Sequence, residues 1–403
     1  MTLQQFGTVE TAQGTAFAML CIDADRPLEY MVHTWGPNLP SVAILADAHD
    51  DGENAVELKA RLLFRPLENG ALHIPRLNDD EVKRLTALNV HLARTGRGFQ
   101  GNWSGLEGQS GVIQFADVPE GAELKAESCA DWAEFKHWAT RARLDADAVL
   151  FRGHGSNRFQ LQTTLHRAGR HRLDRYCAQT LAQFHAQAEA VLGMRLNMND
   201  GDDYSVVLGL AQHHGLPTPL LDWTESPYIA AFFAFSDALE AAAHRQDVSQ
   251  VRIFALTRDF VESSSPSNVV LAYTSPYVAS LAISPRHNPR LQAQQGRFLV
   301  TNVSNLEHWF GGRQGQAGKP FLHAIDIPIQ CAREALEDLA FMGVTAATMF
   351  PGLDGVCRKM RHEMAFNRPP VKPAGLPTGG RESSAEISQI EKEKGQSVEI
   401  LRK

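Results

Sequence analysis

The stretch Leu220–Phe235, LLDWTESPYIAAFFAF, limits what this chain can fold into more than any other. Leu220–Trp223 reads as a short strand. Ser226 and Pro227 then make a strong helix start, because a serine oxygen accepts backbone N–H groups at the N-cap and proline presets φ for the first helical position. The two turns that follow, through Ala234, are apolar nearly all round, so this helix is expected to be buried. Its free N–H groups and positive dipole end would make an anion-receptive spot, with Asp222, Thr224, Glu225 and Tyr228 around it.

The rest of the 403 residues divides around that element. Residues 1–118 read as a mostly β N-terminal domain. Phe17–Ile22, Leu28–Val32, Ser41–Leu45, Val56–Phe64 and Val112–Phe115 are rich in β-branched and aromatic residues and are punctuated by Pro, Gly, Asn and Asp. One helix is expected at Asp79–Arg94, with Val82, Leu85, Leu88 and Leu92 on one face. The glycine-rich Gly96–Gly111 lacks the Lys and Ser/Thr of a phosphate loop and is read as tight turns between strands. Residues 119–366 alternate helices (Ser128–Arg143, Tyr176–Leu192, Cys331–Gly343) with strands (Asp147–Gly153, Val251–Leu256, Gly296–Thr301, Phe321–Ile327). From 367 the Pro, Gly and mixed charge read as a disordered tail. The class is α+β: a mixed sheet with helices behind a β domain.

Net charge is −7, so a chain-wide nucleic-acid coat is not expected, although a local basic groove is compatible with it. The five cysteines form no CxxC pair, which argues against a disulfide scaffold or a cysteine-rich zinc site and fits a reducing cytoplasm. The longest apolar run, Tyr228–Phe235, is far short of the ~18 residues of a membrane span. No membrane association and no metal are expected.

Chemistry is expected first at Phe151-Arg152-Gly153-His154-Gly155. An arginine just after a buried strand stands at a sheet rim, with a fixed fork of donors suited to phosphate or carboxylate, and the glycines allow close approach. Downstream lie Arg158, Arg167, Arg170, Arg172 and Arg175 with His166 and His171, either an anion-binding island or a solvated helix. His213-His214 has no partner at metal-ligand spacing, so His213 is a hydrogen-bonded or ligand-contacting histidine. Asp222 either lines a cleft or pairs locally. Gln294-Gln295 before Gly296-Arg297-Phe298 either meets a ribose hydroxyl or caps a strand edge. Met349–Met360, MFPGLDGVCRKM, reads as a structural turn into a last helix. No serine-histidine-acid triad is legible.

Taken together, FRG (151–153), TLHR (Thr164–Arg167), AQHHGLPTPLLDWTESPYIAAFFAF (211–235), RLQAQQGRF and FMGVTAATMFPGLDGV (Phe341–Val356) resemble the FRG domain over roughly residues 125–366. His154 stands where many members carry Gln, and Pro219 where Arg is frequent. The order of elements is similar to an ADP-ribosyltransferase fold. That likeness implies NAD as substrate, with Arg152, Thr224, Ser226 and Gln294 in the catalytic positions. His154, Arg167, His213, Asp222, Trp223, Tyr228 and Gln295 would then contact ligand. A Gln in place of the usual Glu departs from a transferase. Three readings stay open. The first is an NAD-using ADP-ribosyltransferase or glycohydrolase acting as a toxin or anti-phage effector. The second is a non-catalytic sensor of a nucleotide or other anion. The third is a nucleic-acid binder using Arg158–Arg175; a protein target is also compatible.

Overall fold

The computed structural model describes residues 3–366 apart from 38, 51–53, 119–123, 244–246, 265–269, 285 and 287. The expected tail from 367 lies outside the described residues. The first half contains β1 (Gln4–Thr11), β2 (Gly14–Asp23), β3 (Arg26–Gly36), β4 (Leu39–Asp50) and β5 (Ala55–Pro66). It continues with β6 (Leu72–His73), β7 (Asn89–Thr95), β8 (Gly98–Ser104) and β9 (Ser110–Asp117). Eight of these close into an antiparallel barrel in the order β1-β2-β3-β4-β5-β7-β8-β9 and back to β1, and β6 pairs with β5 alone. Closure leaves no free edge.

Alternation along the strands sorts the side chains. Ala18, Leu20 and Ile22 point into the barrel with Tyr30, Leu58, Leu92, Phe99 and Phe115. Met19 and Cys21 point outward yet are buried with Met31, Leu45 and Phe64. Both faces of β2 are therefore covered, which is why FAMLCI is apolar throughout.

The expected helix at Asp79–Arg94 is half right. The helix runs Asp79–Thr86, started by a capping box between Asn78 and Glu81, and Asn89–Thr95 is strand β7. Leu92 fits a helical period, but it also alternates with Val90 on one strand face, and barrel closure selected the strand. Gly96–Gly111 holds strand β8 and the turns that join it to β7 and β9, including a short 3-10 turn at Leu106–Gly108.

The second half builds a mixed sheet from β10 (Glu127–Ser128), β11 (Ala148–His154), β12 (Leu220–Thr224), β13 (Gln250–Thr257), β14 (Val278–Leu281), β15 (Gly296–Thr301) and β16 (Leu322–Pro328). Their order is β10-β16-β13-β11-β12-β15-β14, with only β10–β16 parallel. The Trp132–Leu144 helix, capped by Asp131, packs Trp132 and Phe135 against Phe235 and Tyr228 of the Pro227–Ala243 helix. The Gly201–His213 helix covers β12, β14 and β15 through Val207 and Leu210, which meet Leu220, Phe298 and Leu281. β14 is a strand that the sequence reading did not contain. No helix among the described residues is long and apolar enough to cross a membrane.

One carboxylate joins the two halves. Asp23, at the end of β2, is buried and accepts the backbone N–H groups of His171 (2.7 Å) and Arg172 (3.0 Å) and the guanidinium of Arg175 (2.9 Å). Asp25 takes Arg175 and Arg170, and Glu29 takes Arg172, whose other pair is Asp174 at 2.7 Å. Replacing Asp23 with Ala leaves two backbone N–H groups without their acceptor and takes one of two carboxylates from the Arg175 guanidinium. Urea unfolding should show a loss of about 3–5 kcal/mol. Hydrogen bonds from Arg175 hold the Asp25 carboxyl down at about 2. A depressed pKa stabilises the fold above the ordinary carboxylate range, and that stability is lost as pH falls toward 2. Asp25→Asn should therefore flatten the acid limb of the stability curve.

Candidate functional site

β11 and β12 share a single residue pair, Phe151 with Thr224, before they part. On their outer sides β12 stays in register with β15 throughout, and β11 with β13 from Leu150 to His154 after a register shift between Ala148 and Leu150. A cleft of about 280 Å³ opens over this gap. Gln212 and His213 of one helix form one bank, and Ala230, Phe233 and Asp237 of the Pro227–Ala243 helix form the other. Arg290, Gln294 and Phe350 close the far side.

The glycines of the FRGHG run set this geometry. A Cβ on Gly153 would lie 2.0 Å from the Ala230 carbonyl oxygen, and one on Gly155 would lie 2.8 Å from the Asp237 Cβ. The helix therefore lies directly on the strand, and its i, i+3, i+7 face of Ala230, Phe233 and Asp237 looks into the cleft.

Arg152 occupies the gap. Its guanidinium donates through Nη1 to the Asp222 carbonyl oxygen and through Nε to His154 Nε2 at 3.1 Å. His154 Nδ1–H donates to the Phe159 carbonyl oxygen at 3.3 Å, so the ring is neutral and fixed in one tautomer. Burial, followed by the Arg152 charge, keeps its pKa well below the ordinary histidine value. These hydrogen-bonding partners of Arg152 are both neutral. Burial pulls its pKa down; Asp222 opposes the shift and Arg167 adds to it. Arg167 is itself pulled down by burial, with Asp222 opposing, and it donates to the Gln162 carbonyl oxygen. His213 is half-buried and lowered, first by burial and next by Arg290. The cleft thus holds positive charge that nearby carboxylates offset only in part.

The cleft brings together Arg152, His213, Asp222, Trp223, Thr224 and Gln294. Most are already engaged. Thr224 Oγ1 donates to the Gln294 carbonyl oxygen (2.8 Å) and accepts the Ser226 N–H (3.2 Å). The Gln294 side-chain amide donates to the Met349 carbonyl oxygen at 3.0 Å. Asp222 accepts from Gln212 Nε2 at 2.7 Å, and Gln212 Oε1 in turn accepts the Thr218 hydroxyl. The Trp223 ring is buried in a cluster with Leu299 and Phe310.

Several expected contacts lie elsewhere. Ser226 caps the helix through the Ile229 N–H at 3.3 Å and is not part of the cleft lining, so the helix meets the cleft by its side rather than its end. Tyr228 turns away, edge-on to Trp132 and Phe135, because position 228 faces the neighbouring helix. Gln295 is exposed at φ 47° and uses its carbonyl oxygen to accept the Glu225 N–H. Of the arginine island, Arg170, Arg172 and Arg175 are spent on the barrel carboxylates. His166 and His171 stack on each other, buried, with their pKa values lowered by burial.

Asp237 escaped the sequence reading. It is exposed on the cleft, and desolvation, followed by Glu240, pushes its carboxyl up to about 6 against Arg358 and Arg152. The available signal was a carboxylate, one of only two with Glu240, on a largely apolar helix, seven residues beyond Ala230. Phe350 lay in a segment read as structural, and Arg290 in the RLQAQQGRF stretch, where only the glutamines were singled out. Among the described residues no group of His, Cys, Asp or Glu is arranged to hold a metal ion.

The FRG domain family model matches residues 147–243, which span β11, β12 and both helical banks of the cleft. No curated protein matches the chain.

Two tests follow from the geometry. Gly153→Ala must push the Ala230 carbonyl away, and thermal or urea unfolding should show a loss of about 3 kcal/mol. A raised carboxyl pKa destabilises the folded state as pH rises through that value, because the charged form is disfavoured. Stability should therefore fall as pH rises through about 6 for the native chain. Asp237→Asn should remove that slope in a series of melts between pH 4 and pH 8.

Proposed function

Because residues 147–243 form an FRG domain, we propose that its cleft is a binding site for a phosphate-bearing nucleotide. The observation that carries this reading is the state of Arg152. It stands half-buried in the gap between two parted strands, with a carbonyl oxygen and a neutral imidazole as hydrogen-bonding partners. An arginine so placed is stabilised by an arriving anion, whose oxygens fit the guanidinium fork. The cleft supplies the other half of a nucleotide's needs: Phe233 and Phe350 offer ring faces, and Asn288 and Gln294 offer polar contacts.

A second reading, cleavage of the nicotinamide–ribose bond of NAD or transfer of its ADP-ribose, draws support from Asp237. A carboxyl raised to about 6 is matched to proton transfer near neutrality, and Asp222 stands in the same cleft. The hydroxyls of Thr224 and Ser226 and the amide of Gln294 hold the local backbone, so in this reading they position the site and the aspartates do the chemistry.

Isothermal titration of the purified chain with ADP and with NAD tests the first reading. Arg152→Lys keeps the charge and loses the fork, so it should weaken ADP by about 10-fold, and Arg152→Ala by about 100-fold. Melting curves serve as the control for folding. Equal ADP affinity in Arg152→Ala and native protein, or no binding of either nucleotide, overturns the reading. Mass spectrometry after incubation with NAD and bacterial lysate tests the second. Nicotinamide or an ADP-ribose adduct should appear with native protein and be lost in Asp237→Asn; intact NAD that is nevertheless bound leaves a sensor.

A further inference from the structure

Beyond the cleft wall opens a second cavity of about 350 Å³, lined by Arg290, Phe350, Asp354, Cys357, Arg358 and Arg361. Arg290 and Phe350 belong to both spaces, so the two adjoin. Phe350 is the partition. The Arg358 guanidinium lies 4.4 Å and that of Arg290 5.5 Å from its ring centre. Cation–π contact holds both heads where a ligand passing the ring would meet them.

Charge in this second space is one-sided. Three arginines face one carboxylate, Asp354, which is 87% exposed and stands 3.5 Å from Arg290. Arg358 also reaches Glu240 at 3.1 Å, which is not part of the lining. Arg361 is exposed and has no ion pair among the described residues. In a chain with net charge −7, a walled pocket with excess positive charge concentrates anions.

We propose that this pocket is a second phosphate site, and that the ligand of the cleft is a nucleotide bearing phosphate at two separated positions. One phosphate sits at Arg152 and the other at Arg290, Arg358 and Arg361, with Phe350 between them. This rests on the nucleotide reading above and narrows its ligand class. The segment MFPGLDGVCRKM thus contributes the wall and the far anchor of the site, in addition to turning the chain into the last helix.

Comparing AMP with adenosine 3′,5′-bisphosphate tests this, because the two differ by one phosphate. Titration of the full chain should show the bisphosphate binding about 10-fold tighter, the value of one to two charge-assisted hydrogen bonds. Arg361→Ala should bring that ratio toward 1. Cys357 supplies a second readout, since it is exposed while Cys21, Cys129 and Cys331 are buried. Maleimide labelling of Cys357, followed by mass spectrometry, should be slowed by the bisphosphate and much less by AMP. Protection by millimolar inorganic phosphate alone would point to an independent anion site and overturn the bridging ligand. If ADP binds but the bisphosphate shows no gain over AMP, or if Arg361→Ala weakens both equally, the second site is wrong and the nucleotide reading survives. If no nucleotide binds, both fall.

Discussion

The contact on which the rest of the second half depends is the approach of the Pro227–Ala243 helix to strand β11 at Gly153. With an Ala230 carbonyl oxygen where a side chain would otherwise begin, the strand and helix can have only one relation. That relation turns Ala230, Phe233 and Asp237 toward the gap and Tyr228 toward the Trp132–Leu144 helix. It also leaves β11 joined to β12 by one residue pair, so the sheet opens at the level of Arg152. A bulkier residue at 153 would lift the helix and move the whole bank of the cleft.

Electrostatics then decide what an opened sheet can receive. Arg152 fills the space a backbone hydrogen bond would occupy, and protein surrounds it closely enough to depress its pKa. Asp222 and Asp237 act on it through space, while the hydrogen bonds go to neutral acceptors. The groups that hydrogen-bond Arg152 therefore leave its charge unneutralised. Asp237 shows the opposite adjustment: desolvation and the neighbouring Glu240 push its carboxyl toward its neutral form.

The arginine island shows how neighbours in sequence can be divided in space. Arg167 stays within reach of the Asp222 charge, whereas Arg170, Arg172 and Arg175, a few residues on, cross to the barrel and are held by Asp23, Asp25 and Glu29. Those carboxylates are more than a hundred residues away, at the end of β2 and start of β3. The barrel is fixed to the second half by this ionic lock and by Gln4, whose amide donates to the Asn302 carbonyl oxygen at 2.7 Å and accepts the Ser304 N–H at 2.8 Å.

What the sequence by itself determined is local. Ser226-Pro227 starts a helix, Ser128–Arg143 reads as another, β11 and β12 read as strands, and the stretch from FRG to AFFAF carries motifs that the FRG domain model matches, because caps, turns and apolar period are set by neighbours a few residues apart. Tertiary structure decided everything that depends on long-range partners. Barrel closure made Asn89–Thr95 a strand although its leucines also fit a helix. Hydrogen bonds across the cleft turned Thr224 and Gln294 from free groups into supports. Burial raised Asp237 into a titrating range, and the fold set Phe350 of a turn-like segment between two arginines. Charge pairing and desolvation are functions of distance in space, which spacing along a chain does not specify.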